Sequence, residues 1–220
     1  MAYIDFLQTV HTRTPRNYLQ RVVEHDKAEC AGVARRFDKD YWDGDRRYGY
    51  GGYHYDGRWV TVAERLAAHY HLRPGASILD IGCAKGFLLH DLRRAVPHAS
   101  VAGLDISAYA LEHALEDVSS RLVRGTAGHL PFADKSFDLV VSINTLHNLR
   151  VAELDSAFRE IERVGRGAKY VVVDTFRSER EKVNLMYWQL TCQCFHTPED
   201  WQWWFDRTGY SGDHSFVSFE

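Results

Sequence analysis

Two carboxylates at the ends of neighbouring apolar runs are the first residues of this chain with a chemical use. Ile78, Leu79 and Ile81 frame Asp80, and the small-residue segment Gly82-Cys83-Ala84-Lys85-Gly86 follows directly. Phe87, Leu88, Leu89 and Leu92 then recur at helical spacing. Strand, glycine-bearing turn and helix in that order make the first βα unit of a nucleotide-binding sheet. The glycines let a ligand approach the backbone, and the helix start offers free N–H groups. A second run, Ser100 to Asp105, ends in an acid roughly 20 residues beyond the glycines, where such folds place an acceptor for ribose hydroxyls.

The ligand class follows from charge. A dinucleotide fingerprint places glycine at 82, 84 and 87, but this chain has Ala84 and Phe87 there. A carboxylate at the strand tip repels a pyrophosphate and suits a cofactor carrying an ammonium group. Turn capping is the plainer use of Asp80 and Asp105. Their order and pairing favour a cofactor site, and a nicotinamide-dependent reductase is disfavoured by Phe87 and Asp80.

Other side chains could act on a second substrate. The run Leu139 to Ile143 is apolar on both faces, as a buried parallel strand demands, and it emits Asn144-Thr145-Leu146-His147 at its end. Ligands of open α/β sheets bind at such ends, so His147 is the first candidate general base; packing or capping of the next helix is its alternative. From Asp40 to Trp59, tyrosine alternates with glycine, which frustrates helix and strand alike. Loops dense in aromatics are costly to leave in water. This one is read as a lid across the strand ends, against the plainer reading of a loop glued to the surface. Tyr48, Tyr50 and Tyr53 are then substrate-binding candidates and His54 a second candidate base. Trp204, on a Trp-rich helix, completes the expected pocket.

These motifs resemble the class I S-adenosylmethionine-dependent methyltransferases. The quoted stretches are Asp80-Ile-Gly-Cys-Ala-Lys-Gly86, Gly103-Leu-Asp105-Ile-Ser, Gly125-Thr-Ala-Gly-His-Leu-Pro-Phe132 and Phe137-Asp-Leu-Val-Val-Ser-Ile-Asn144. They occur in the family's order over residues 59–175. The resemblance implies S-adenosylmethionine as cofactor, held by Asp80, Gly82, Cys83, Gly86, Asp105, Ile106, Thr126, Ala127 and Asn144, with the Ala127 backbone near adenine. Two positions depart from the family pattern. Ala84 replaces the middle glycine, which is tolerable only at negative φ, and Thr126 replaces the acid that usually meets the adenine amine. The implied reaction is in-line transfer of a methyl group to a small molecule: a sugar, a polysaccharide precursor or a secondary metabolite, at nitrogen, oxygen or carbon. A catalytically silent cofactor-binding protein, regulatory or partner-docking, is the alternative.

The whole chain bounds the rest. Its 220 residues are 45% hydrophobic and carry a formal net charge of −3, enough for one globular domain. Basic residues form no stripe, which disfavours nucleic acid. No run is long enough to span a membrane, and four scattered cysteines fit a reduced, cytoplasmic protein. His11, His25, Cys30 and the Cys192/Cys194 pair match no metal-ligand spacing, and a homodimer is left open. The expected fold is α/β and doubly wound: a mostly parallel Rossmann-like sheet closed by an antiparallel edge strand at His214–Phe219. Residues 1–58 are read as a lid segment, with one or two helices after Pro15, and residues 59–220 as the cofactor-binding domain.

Overall fold

The runs that are apolar on both faces become the inner strands of one sheet, because helices cover both of its sides. The structure, a computed structural model, describes residues 1–11 and 16–220, apart from the side chains of Thr9 and His11. Pro15 and the His11 side chain therefore lie outside the described residues. In chain order the strands are β1 (Ser77–Ile81), β2 (Ser100–Asp105), β3 (Leu122–Arg124), β4 (Phe137–Ile143), β5 (Gly165–Asp174) and β6 (Asp213–Val217). They lie side by side as β3-β2-β1-β4-β5-β6, with every neighbouring pair parallel. The order reverses between β1 and β4, so a crevice opens beyond their carboxyl ends.

Among the described residues, the short helices α1 (Gln8–His11), α2 (Tyr18–Val23), α3 (Lys27–Ala34) and α4 (Lys39–Trp42) come first in the chain. Next come α5 (Val60–His69), α6 (Phe87–Ala95), α7 (Ala108–Glu112), α8 (Glu116–Ser119), α9 (Val151–Val164), α10 (Glu179–Trp188) and α11 (Pro198–Thr208). Leu66 of α5, Leu89 of α6 and Leu185 of α10 share one core with Ile78, Val141 and Val172. Leu154 and Phe158 of α9 and Trp201 of α11 share the other with Leu79, Val140 and Val171. Alternate residues of each inner strand thus feed opposite cores, the period-two rule of a pleated sheet. Phe6 and Leu7 are buried in the first core, and the Ile4 amide donates to the His214 carbonyl at 2.9 Å.

One expectation needs correction. The last strand pairs with β5 in parallel, from Tyr170↔Asp213 to Asp174↔Val217. The alternation in His214-Ser215-Phe216-Val217 reports one half-exposed face and carries no information about direction; α10 and α11 return the chain to the starting edge, which makes the strand parallel. Beyond β2 the chain forms two short helices, α7 and α8. Cys192 and Cys194 sit in an irregular buried segment. In α11, Trp201 is buried and Trp203 is 56% exposed. Its ends follow the sequence signals: Thr197 and Asp200 form a capping box, Pro198 opens the helix, and Gly209 closes it at φ 68°.

Candidate active site

Backbone geometry builds the turn after β1. Gly82, Ala84 and Gly86 all have positive φ, 81°, 50° and 76°. A Cβ on Gly82 would lie 1.9 Å from the Thr145 hydroxyl oxygen, so only glycine fits between β1 and the end of β4. Ala84 contradicts the negative φ expected of it. The left-handed conformation costs an L-residue about 1 kcal/mol; here the Asp105 carboxylate offsets it by accepting the Ala84 N–H at 2.8 Å. The other Asp105 oxygen accepts the Ser107 N–H at 2.8 Å. Burial raises the Asp105 pKa, and these backbone donors work against that rise.

Asp80 has no such support. It is only 4% exposed and accepts no hydrogen bond among the described residues. Burial, reinforced by the negative charge of Asp105, pushes its pKa up to about 8. A buried carboxylate in this state gains from a cationic ligand. It also sets a pH dependence. The free protein binds a proton at Asp80 below about pH 8, which an ammonium seated beside it would displace. If S-adenosylhomocysteine places its ammonium there, its affinity is expected to rise with pH between about 6 and 7.5, by up to roughly tenfold per unit, and Asp80→Asn to flatten that slope. Calorimetry across this range checks both.

Both acids face a cavity of about 240 Å³. Asp80, Gly82, Cys83, Asp105, Ile106, Thr126, Ala127 and Asn144 all line it, and Gly86 stands behind them at the start of α6. Its roof is aromatic. Tyr41, Trp42, Tyr50 and Tyr53 close over the crevice, with Trp42 stacked on Tyr50 at 5.3 Å and Tyr53 on Phe87 at 4.8 Å. The Trp42 indole N–H donates to the Ser107 hydroxyl at 2.9 Å, just past the tip of β2. Asp43 ties the roof to the turn: it accepts the Lys85 ammonium at 2.6 Å, the Tyr109 hydroxyl at 2.9 Å and the Tyr53 N–H at 2.9 Å. Burial alone would raise the Asp43 pKa, but these donors hold it at about 2.

A second cavity of about 350 Å³ adjoins the first. Tyr41, Tyr50, Tyr53, Asn144 and Asn148 line both. Tyr50, 42% exposed as a residue, is thus part of the wall between them. Among the described residues the buried side-chain oxygens of Asn144 and Asn148 have no partner, and Asn144 adopts φ 56°, which asparagine tolerates.

His147, His54, Arg58 and Asp174 line only this second cavity of the two. His147 is 2% exposed, and its Nδ1 accepts the Asp174 backbone N–H at 3.1 Å. A backbone N–H can only donate, so the neutral ring carries its proton on Nε2, which lies 3.3 Å from Asp174 Oδ2. Burial lowers the His147 pKa against the pull of Asp174. The imidazole has no lone pair directed at the cavity. Asp174 itself is buried with a raised pKa, a rise that His147 and the Gln189 amide donor oppose.

Two predicted substrate contacts lie elsewhere. Tyr48 packs beside Cys30, Ala31 and Leu190 and lines neither cavity. Trp204 is on α11, where its indole N–H donates to His196 at 3.1 Å, in a shallow depression with Trp203 and Arg207. The sequence reading passed over Tyr41, Trp42, Asn148 and Asp174. Tyr41 and Trp42 lay inside the Tyr/Gly stretch and carried a signal; Asn148 and Asp174 looked like ordinary loop and strand-end residues.

Residues 79–173 match the family model described as a methyltransferase domain. Over those residues the chain carries a methyltransferase domain, of the class I S-adenosylmethionine-dependent kind. A demethylmenaquinone methyltransferase from Symbiobacterium thermophilum is 33% identical to it over 127 residues, 54% of this chain and 50% of that one. The chain spans about half the length of such curated relatives. In fold, the domain is similar to the YcgJ protein of Bacillus subtilis, with a TM-score of 0.57, 23% identity and 66% of each chain covered. It is also similar to a geranyl diphosphate C-methyltransferase from Streptomyces coelicolor, solved with S-adenosyl-L-homocysteine. There the TM-score is 0.56 at 14% identity, covering 66% of this chain and 58% of that one. The methyltransferase domain's cofactor is S-adenosylmethionine. Among the described residues no group of three or more His, Cys, Asp or Glu side chains could hold a metal, all four cysteines are free, and no helix is long and apolar enough to cross a membrane.

Proposed function

We propose that this chain transfers a methyl group from S-adenosylmethionine in the first cavity to a small-molecule acceptor in the second. The observation that carries the reading is their shared wall of Tyr41, Tyr50, Tyr53, Asn144 and Asn148. The cofactor fits the first cavity on two counts. Asp80 is a buried carboxylate lacking a donor, and the Gly82 cradle admits no side chain. When bound, the cofactor supplies a methyl group already activated on a sulfonium.

In this reading Asp80 receives the cofactor's ammonium and Asp105 its ribose hydroxyls. Cys83, Ile106, Thr126 and Ala127 flank the nucleoside. Glu153 lines the same cavity and offers a carboxylate where Thr126 cannot. Residues 1–58 act as the lid, since their rings roof both ligands and keep water out. Alignment of the two reactants is worth up to roughly 7–11 kcal/mol. Tyr50 and Tyr53 orient the acceptor. Asp174, which burial makes a stronger base than an ordinary carboxylate and which lines the second cavity, is the group that takes the acceptor's proton. His147 steadies the resulting charge through its Nε2–H and acts as a positioning residue.

Titration with S-adenosylhomocysteine and with NAD tests the cofactor, and labelled methyl transfer into a cell extract tests the chemistry. Binding of the former alone, with label incorporated, is expected. Binding of NAD overturns the cofactor assignment, and binding of S-adenosylhomocysteine without any transfer returns the chain to a silent cofactor-binding role.

A further inference from the structure

Three guanidinium groups converge on one indole in the wall of the second cavity, and among the described residues none of them is ion-paired. Arg16, Arg21 and Arg46 lie 5.8, 4.9 and 5.4 Å from the Trp188 ring centre. All three line the cavity beside Trp188. Backbone carbonyls hold them in place: Arg16 donates to Ser218 at 3.0 Å, Arg21 to Trp188 at 2.9 Å, and Arg46 to Gly49. A carbonyl fixes a guanidinium without neutralising it, and further N–H donors of each fork remain for a ligand. Among the described residues no carboxylate oxygen comes within 4.0 Å of any of the three, whereas Arg58 in the same cavity is paired with Asp56 at 2.7 Å.

Holding Arg21 and Arg46 side by side has a cost. Burial pulls down the pKa values of Arg21 and Arg46, and the Arg46 charge adds to the effect on Arg21. The acid lining this cavity, Asp174, is engaged by His147 and Gln189 and feels the Arg16 charge only from beyond ion-pair distance. An anionic group on the ligand would relieve the repulsion and use the free forks, most strongly in bidentate pairs. The aromatic faces of Trp188, Tyr41, Tyr50 and Tyr53 would cover the rest of a compact molecule.

We infer that the methyl acceptor carries an anionic group, a carboxylate or a phosphate, gripped by Arg16, Arg21 and Arg46 over Trp188. Its reacting atom then lies toward the wall shared with the first cavity. This inference rests on the methyltransferase reading, so its test separates the two. The full chain is titrated calorimetrically with S-adenosylhomocysteine, and the loaded protein is then titrated with inorganic pyrophosphate and, separately, with benzoate.

At least one anion binds, and added salt weakens it. Its affinity drops by roughly tenfold or more in Arg16→Gln and Arg46→Gln. Arg159→Gln, on the exposed side of α9, binds like the native protein. Which probe binds tells a phosphate-bearing acceptor from a carboxylate-bearing one. Intact S-adenosylhomocysteine binding with no binding of either anion, or with anion affinity untouched by the two substitutions, overturns the inference alone. Loss of S-adenosylhomocysteine binding in the native protein overturns the reading beneath it.

Discussion

Asp174→Asn lowers methyl transfer by roughly 100- to 10,000-fold, the range for removing a positioned proton acceptor. The substitution is nearly isosteric and leaves the cofactor cavity untouched, because Asp174 lines only the second cavity of the two. S-adenosylhomocysteine affinity is therefore unchanged while label incorporation from the methyl donor collapses. His147→Asn has a smaller effect on rate and a diagnostic effect on pH. The histidine's Nε2–H favours the ionised form of Asp174, so its loss raises the Asp174 pKa further. The acid limb of the pH–rate profile moves to higher pH. Full activity in Asp174→Asn rejects the carboxylate as proton acceptor.

Asp105→Ala weakens S-adenosylhomocysteine binding by roughly 100-fold or more, since hydrogen bonds to buried charged groups contribute about 1.5–3 kcal/mol each. The carboxylate does two jobs at once. It faces the cavity, and it holds the Ala84 and Ser107 N–H groups that shape the turn and the start of α7. Removing it leaves Ala84 in a left-handed conformation with its donor unpaired. His147→Ala, by contrast, alters cofactor affinity little, because the imidazole lines only the second cavity of the two. Comparable, negligible losses from both variants in calorimetric titration reject the placement of the cofactor.

What the sequence revealed tracks the range of the forces involved. Asp80, the glycine turn and Asp105 are read from contiguous residues, because strand, turn and helix are local events. The Tyr/Gly stretch announced by its composition a loop that must pack onto the domain, and most of its rings line the cavities. Features set by tertiary context were out of reach. The sign of φ at Ala84 depends on the carboxylate of Asp105, and the direction of β6 depends on the path of two helices. Tyr48 and Trp204 share the composition of true pocket residues, yet one packs under the loop and the other faces a different side of the molecule. Arg16, Arg21 and Arg46 are separated along the chain and meet only where Trp188 comes between them, from more than a hundred residues further on.

The Lys85–Asp43 pair joins the turn after β1 to the aromatic roof. Lys85 belongs to the turn whose neighbouring residues line the first cavity, and Asp43 positions the backbone of Tyr53, which lines both cavities. A ligand that shifted the lysine would shift that tyrosine with it. By thermodynamic reciprocity, occupancy of either cavity would then tune affinity in the other by the same factor. In the proposed reaction this would favour assembling both reactants before either escapes, with one ion pair as the coupling between them.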